Sequence, residues 1–125
     1  MTALTDRLDQ WAALAEKATE GPWAVDETIG ATIVQSCEGE VADCVVSADA
    51  AFITASRTAL PATIEALRAV LDLHVPGDGN SVGYTPLGYR SIEPYCAGCE
   101  ACDEYAVEWP CRTVRAIATA LGVQP

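Results

Sequence analysis

Positive charge is scarce in this chain. Seven Lys and Arg stand against eighteen Asp and Glu, for a formal net charge of −11. Nucleic acids and anionic membrane surfaces are held by clustered cations. Both are therefore disfavoured as partners, and a neutral or cationic one is expected. The acidic residues are spread along the chain rather than gathered in a tail, so they read as a solvated surface before they read as a DNA mimic. Long apolar runs are missing too, and no stretch is long enough to span a bilayer. The first residues, Met1 to Arg7, lack the basic region and apolar stretch of a secretory signal. The expected location is the cytoplasm, where thiols stay reduced. Aromatics make up 6% of the residues, with a single Phe, Phe52. Half the residues are hydrophobic, but many of these are alanines, which bury little area. A 125-residue chain fits one domain, residues 1–125, with a core light enough to benefit from a staple. Histidine occurs once, as His74. General bases near neutral pH are correspondingly few, and no Ser/His/Asp set has readable spacing. A non-enzymatic protein is the expectation.

Cysteine is what the chain does have. Four of six fall in the last third, as Cys96-x2-Cys99-x2-Cys102-x8-Cys111. Two-residue spacing lets a turn bring both sulfurs to one side, and tetrahedral zinc takes four such ligands. Gly98 relaxes the first knuckle. Cys111 falls in the first turn of the last predicted helix, where the helix dipole favours the thiolate. His74 ends an earlier predicted helix and adds a fifth candidate. An all-thiolate site would use Cys96, Cys99, Cys102 and Cys111. A mixed site would replace one knuckle thiol with His74. About one zinc per chain is expected, and a structural one, because four protein ligands leave no open position for catalysis. Two disulfides are disfavoured by a reducing compartment. A redox Cys-x-x-Cys would sit at a helix start after a strand, whereas this one follows a Pro/Gly-rich stretch. Glu100, Glu104 and Glu108 could supply a base, but read first as a solvated acidic loop.

The rest of the chain predicts an α+β fold. Residues 3–19 form an amphipathic helix with Leu4, Leu8, Trp11, Leu14, Ala15 and Ala18 on one stripe. Gly21 is expected to cap it in the left-handed conformation, with Pro22 stopping it. Three short strands follow, at 23–27, 31–36 and 41–46, with turns at Ile29-Gly30 and Glu38-Gly39-Glu40. Connections this short imply an antiparallel meander. Ser47 is the expected N-cap of a helix over 48–58 whose Ala48, Ala51, Phe52 and Ala55 face inward. Pro61 opens a second helix over 61–74, with Ile64, Leu67, Leu71 and His74 on one stripe. Residues 75–94, rich in Pro and Gly, read as one long loop. Residues 95–125 hold the metal segment and a last helix, with Val114, Ile117 and Leu121 inward and Gly122 ending it. Cys37 and Cys44 read as half-buried free thiols. The stretch from Gly77 to Gly83 lacks a Walker lysine, a dinucleotide fingerprint and a calcium loop's later acid.

Three stretches carry a resemblance. They are Ala18-Thr19-Glu20-Gly21-Pro22-Trp23, the run from Ala48 to Arg57 leading into Leu60-Pro61, and Trp109-Pro110-Cys111-Arg112-Thr113-Val114-Arg115-Ala116-Ile117. Together they resemble the small Ead-type accessory proteins of temperate phages, particularly actinobacterial phages. The resemblance implies a protein made in a bacterial host early in infection or from a prophage, with no assigned activity. It also implies that Gly21-Pro22-Trp23 and Phe52 are packing positions.

The leading functional expectation is a phage accessory protein that binds a host protein, or itself as a homodimer, through residues 75–94 and the metal-held surface. Exposed aromatics and Arg are the usual interface anchors, which makes Tyr84, Tyr89, Arg90, Tyr95 and Trp109 the candidates. Arg112 and Arg115, one turn apart on the outer face of the last helix, add a local basic spot. The alternatives are a small-ligand binder that sequesters a nucleotide signal, and a zinc enzyme with an open coordination position.

Overall fold

A computed structural model describes residues 2–28, 31–77, 81–85, 88–92, 95–99 and 107–124. The architecture is α+β, as expected. In chain order it comprises helix α1 (Thr2–Lys17), strands β1 (Ala24–Thr28), β2 (Ala31–Ser36) and β3 (Gly39–Cys44), helix α2 (Ser47–Leu73), strands β4 (Ser81–Thr85) and β5 (Gly88–Ile92), a 3-10 turn at Ala97–Cys99, and helix α3 (Arg112–Ala120). The chain divides into two compact units. One is Leu8–Ala66; the other is Met1–Arg7 with Leu67–Pro125. Among the described residues no helix is long and apolar enough to cross a membrane.

In the first unit β1, β2 and β3 form the expected antiparallel meander, in that order. Val25, Val34 and Ala42 lie in one row across it, and Val34 is fully buried. The β2–β3 turn falls at Cys37-Glu38. Ser36 Oγ accepts from the Glu38 N–H at 3.1 Å and donates to the Gly39 carbonyl at 3.2 Å. Gly39 has φ +130°, a conformation open only to glycine at little cost. Cys44 is half-buried as expected, but Cys37 is exposed because the turn carries it off the sheet. The expected turn at Ile29-Gly30 lies outside the described residues.

The end of α1 departs from expectation. Gly21 has no positive φ; among the described residues only Gly39 and Gly122 do. Gly21 instead makes room for a neighbour, since a Cβ there would sit 3.2 Å from Arg57 Cγ. Arg57 Nε donates to the Thr19 carbonyl at 3.0 Å, and Trp23 Nε1 donates to the same oxygen at 3.1 Å. The guanidinium also lies 5.8 Å from the Trp23 ring centre. One side chain of α2 thus holds the turn after α1 by a hydrogen bond and a cation–π contact. Arg57→Ala should lower stability by about 1–2 kcal/mol, read as an earlier urea midpoint. Arg57→Lys should recover little of it, because an ammonium lacks the planar fork.

α2 is one helix of 27 residues with Pro61 inside it, not two. Proline forfeits one backbone hydrogen bond, to the carbonyl four residues back. In a helix with this many alanines, propensity carries the chain through. Its phase also differs from expectation. Ala50 and Ile64 are buried, whereas Ala48, Ala51, Phe52 and Ala55 are exposed, Phe52 by 74%. Phe52 is therefore not the packing position that the resemblance implied. Ser47 does not cap: its hydroxyl donates to Glu27 Oε1 at 2.7 Å, and the Val46 carbonyl accepts the first turn's Asp49 and Ala50 N–H groups.

In the second unit Leu4, Cys96, Cys111, Val114 and Ala118 form the buried core. Ile117 and Leu121 pack against it, as α3's periodicity implied. Gly122, at φ +66°, ends α3. Its N–H bonds the Thr119 carbonyl, and the Val123 N–H bonds that of Ala118. The stretch read as a 75–94 loop contains the β4–β5 hairpin, with Tyr84 paired to Tyr89 and Gly83 to Arg90. Its glycines and prolines flank and interrupt a β-forming sequence rather than abolishing it.

Candidate metal centre

Three stretches of the second unit converge on one point. The first is the end of α2. The helix stops at Leu73, and the His74 N–H still bonds the Leu71 carbonyl at 3.0 Å. His74 thus continues the stripe of Ile64, Leu67 and Leu71. The second stretch is the knuckle. Cys96 is held on two sides, through bridges of Pro76 to Cys96 and of Tyr95 to Glu108. Its N–H donates to the Val107 carbonyl at 2.8 Å, and the Ala97 N–H donates to that of Val75 at 2.9 Å. The Cys99 N–H closes the turn on the Cys96 carbonyl at 3.3 Å. The third stretch is the start of α3. Cys111 is its N-cap residue, extended at φ −70° and ψ 172°.

The four side chains meet. His74 Nδ1 lies 3.5 Å from Cys96 Sγ, 3.3 Å from Cys99 Sγ and 3.6 Å from Cys111 Sγ. All four ligand atoms fall within 4.8 Å of one another. A tetrahedral ion with metal–sulfur bonds of about 2.3 Å and metal–nitrogen bonds of about 2.05 Å would separate nitrogen and sulfur by about 3.6 Å. The observed distances match that figure to within a few tenths of an ångström. Cys96 and Cys111 are buried, and His74 and Cys99 half-buried. The side chains can therefore hold a metal ion at this point. Among the described residues the donors that meet are three thiols and one imidazole. Cys102, the fourth thiol of the all-thiolate alternative, lies outside the described residues.

Electrostatics within the cluster separate two of the thiols. Burial pushes the Cys99 thiol up to about 12, helped by its neighbours Cys96 and Cys111. Burial also opposes ionisation of Cys111, but the Val114 and Thr113 N–H groups at the start of α3, with the thiols of Cys96 and Cys99, outweigh it and lower its pKa. No close side-chain capping bond forms, so the effect is that of amide dipoles aimed at sulfur. Without a cation, ionisation is made easier at Cys111 and harder at Cys99. A divalent ion reverses the second effect by displacing the Cys99 proton. Adding metal in weak buffer near neutral pH should therefore release protons, and affinity should fall as pH falls, by roughly tenfold per unit for each thiol proton displaced. In the metal-free protein the sign is opposite. The unfolded Cys99 thiol ionises near 9 and the folded one only near 12, so its contribution to stability is present below that window and lost as pH rises through it.

Gly98 has a role that spacing did not reveal. A Cβ on it would land on the carbonyl oxygen of Leu73, the last residue of α2. Glycine lets the knuckle sit directly on the helix end that delivers His74. Gly77 does something similar for Tyr95, whose ring would collide with any Cβ there. Of the interface candidates, Tyr95 is half-buried against Gly77, and Trp109 is half-buried against the core cluster. Both contribute to packing around the site. Arg112 and Arg115 are exposed on α3. Tyr84, Tyr89 and Arg90 fall on the β4–β5 hairpin.

No protein-family model, curated protein or solved structure matches the chain.

Proposed function

We propose that the chain is a zinc-stapled, non-enzymatic binding protein. A structural zinc on His74, Cys96, Cys99 and Cys111 fixes the second unit so that it can present the segment between Val75 and Cys96 to a partner. The observation that carries this reading is the approach of His74 Nδ1 to three sulfurs at 3.3–3.6 Å. Three thiolates and an imidazole are soft and borderline ligands that suit zinc. Four protein ligands complete a tetrahedron, which favours a structural role over a catalytic one. The light core supplies the reason for a staple. The resemblance to Ead-type phage proteins supports an accessory role in a bacterial host, with a host protein or a second copy as partner.

Elemental analysis of protein purified without added metal tests the first half, with about one zinc per chain expected. Affinity capture from host lysate tests the second, using the wild type and Cys111→Ser in parallel. A partner captured by the wild type and lost with Cys111→Ser fits the reading. Equal background in both removes a host protein as the partner.

A further inference from the structure

α2 presents apolar residues on two sides. One side is buried, with Ala50 and Ile64 at its centre. The other is exposed along the whole helix. From Ala48 onward, exposed apolar residues recur at alternating steps of four and three, through Phe52, Ala55 and Ala59 and on to Leu73. Phe52 is 74% exposed and Leu73 69%. Steps of four and three average 3.5 residues, the period of a coiled-coil seam rather than of a helix lying on a core. In a chain of net charge −11, this seam holds no charged residue.

We propose that the seam pairs with the same seam of a second copy, antiparallel, about a two-fold axis between Ala59 and Ala62. Size complementarity selects this register. It places Leu73 against Ala48, Phe52 against Ala69, Ala55 against Ala66 and Ala59 against Ala62, so each large side chain meets an alanine. A parallel pair would stack Phe52 on Phe52 beside layers of alanine on alanine, which demand a closer helix spacing than the phenyl rings allow. Charge complementarity agrees. The flanking positions set Asp49 against Val70, Ala51 against Asp72 and Thr58 against Glu65, so no two acids face each other. The remaining flank sets Ser56 against Thr63. Their hydroxyls already donate to the Phe52 and Ala59 carbonyls of their own helix, at 2.7 Å each, so excluding water there orphans no donor. Antiparallel helix dipoles add to the preference.

The interface is small. A helix of this length runs about 40 Å, and a strip about 10 Å wide covers on the order of 400 Å² per copy, half the ~800 Å² of a standard interface. The dimer therefore exchanges with monomer and dissociates on dilution.

Sedimentation velocity of the full chain over a concentration series tests this. The wild type should move from monomer to dimer as concentration rises. Ala59→Glu keeps a good helix former at an exposed site, so circular dichroism should be unchanged while the dimer weakens at least tenfold. Ala62→Lys should weaken it as well. The double variant Ala59→Glu/Ala62→Lys should recover dimerisation, because the new carboxylate faces the new ammonium of the other copy. A wild type that stays monomeric throughout overturns the proposal, as does a dimer indifferent to both single variants. A double variant that remains monomeric overturns the antiparallel register.

Discussion

Cys111→Ser is expected to empty the metal centre and unfold the second unit. Serine is a better helix N-cap than cysteine, and Cys111 occupies the N-cap of α3. If Cys111 served only the helix, the substitution would be neutral or mildly stabilising. If it serves a metal, the outcome is the reverse, because an alcohol is a far poorer zinc ligand than a thiolate. Structural zinc sites carry apparent binding energies of about 10–16 kcal/mol, and that energy is folding energy. Among the described residues the core around the site is five buried residues, and two of them are cysteines of the cluster itself. Metal content should drop from about one per chain to near zero. The near-ultraviolet dichroism of Trp109, which packs against that core, should collapse. A chelator should do the same to the wild type. Cys111→Ser protein that keeps both its metal and its Trp109 signal would refute the assignment of this thiol as a ligand.

Gly98→Ala is expected to be the most damaging change that touches no ligand. The added methyl would fall on the Leu73 carbonyl, and neither side can yield. The Ala97 N–H is tied to the Val75 carbonyl. With an ion bound, the flanking Cys96 and Cys99 would be tied to it, and so would His74, the residue after Leu73. The cost should lie at the upper end of overpacking, about 3 kcal/mol, and should appear as both an earlier denaturation midpoint and weaker metal affinity. Gly122→Ala provides the contrast. That glycine has φ +66° with nothing within 4 Å of a Cβ, so alanine there meets conformational strain alone, about 1 kcal/mol. Equal costs at the two positions would refute the contact between knuckle and helix end.

Much of the fold was legible because the signals are local. The meander followed from short apolar runs joined by turns too brief for anything but antiparallel pairing. Gly122 followed from its place after the last apolar position of α3. Where local signals compete, packing decided. Pro61 argued for a break that the alanine-rich helix overrode. Phe52 looked like a core residue because it is the largest apolar side chain in its segment, yet an alanine-rich helix is apolar on every side, and its phase is set by what it packs against. The four-and-three spacing from Ala48 to Leu73 is present in the sequence, but it becomes a single seam only because the helix continues through Pro61. The β4–β5 hairpin is masked in the same way, because the glycines and prolines around and within it carry the local signature of a loop.

Residue types and their spacing along the chain settled the donor inventory: five atoms able to hold a soft divalent ion. Two-residue spacing is enough for that, because a single turn sets how far Cys96 and Cys99 can stand apart. Which of those donors meet is a different kind of question. His74 and Cys111 are 37 residues apart, and no local rule brings them within 3.6 Å. That took the end of α2, the knuckle seated on it through Gly98, and the first turn of α3 packing around one small core. A ligand set drawn from distant segments belongs to the tertiary fold, since only packing places the ends of separate elements at one point.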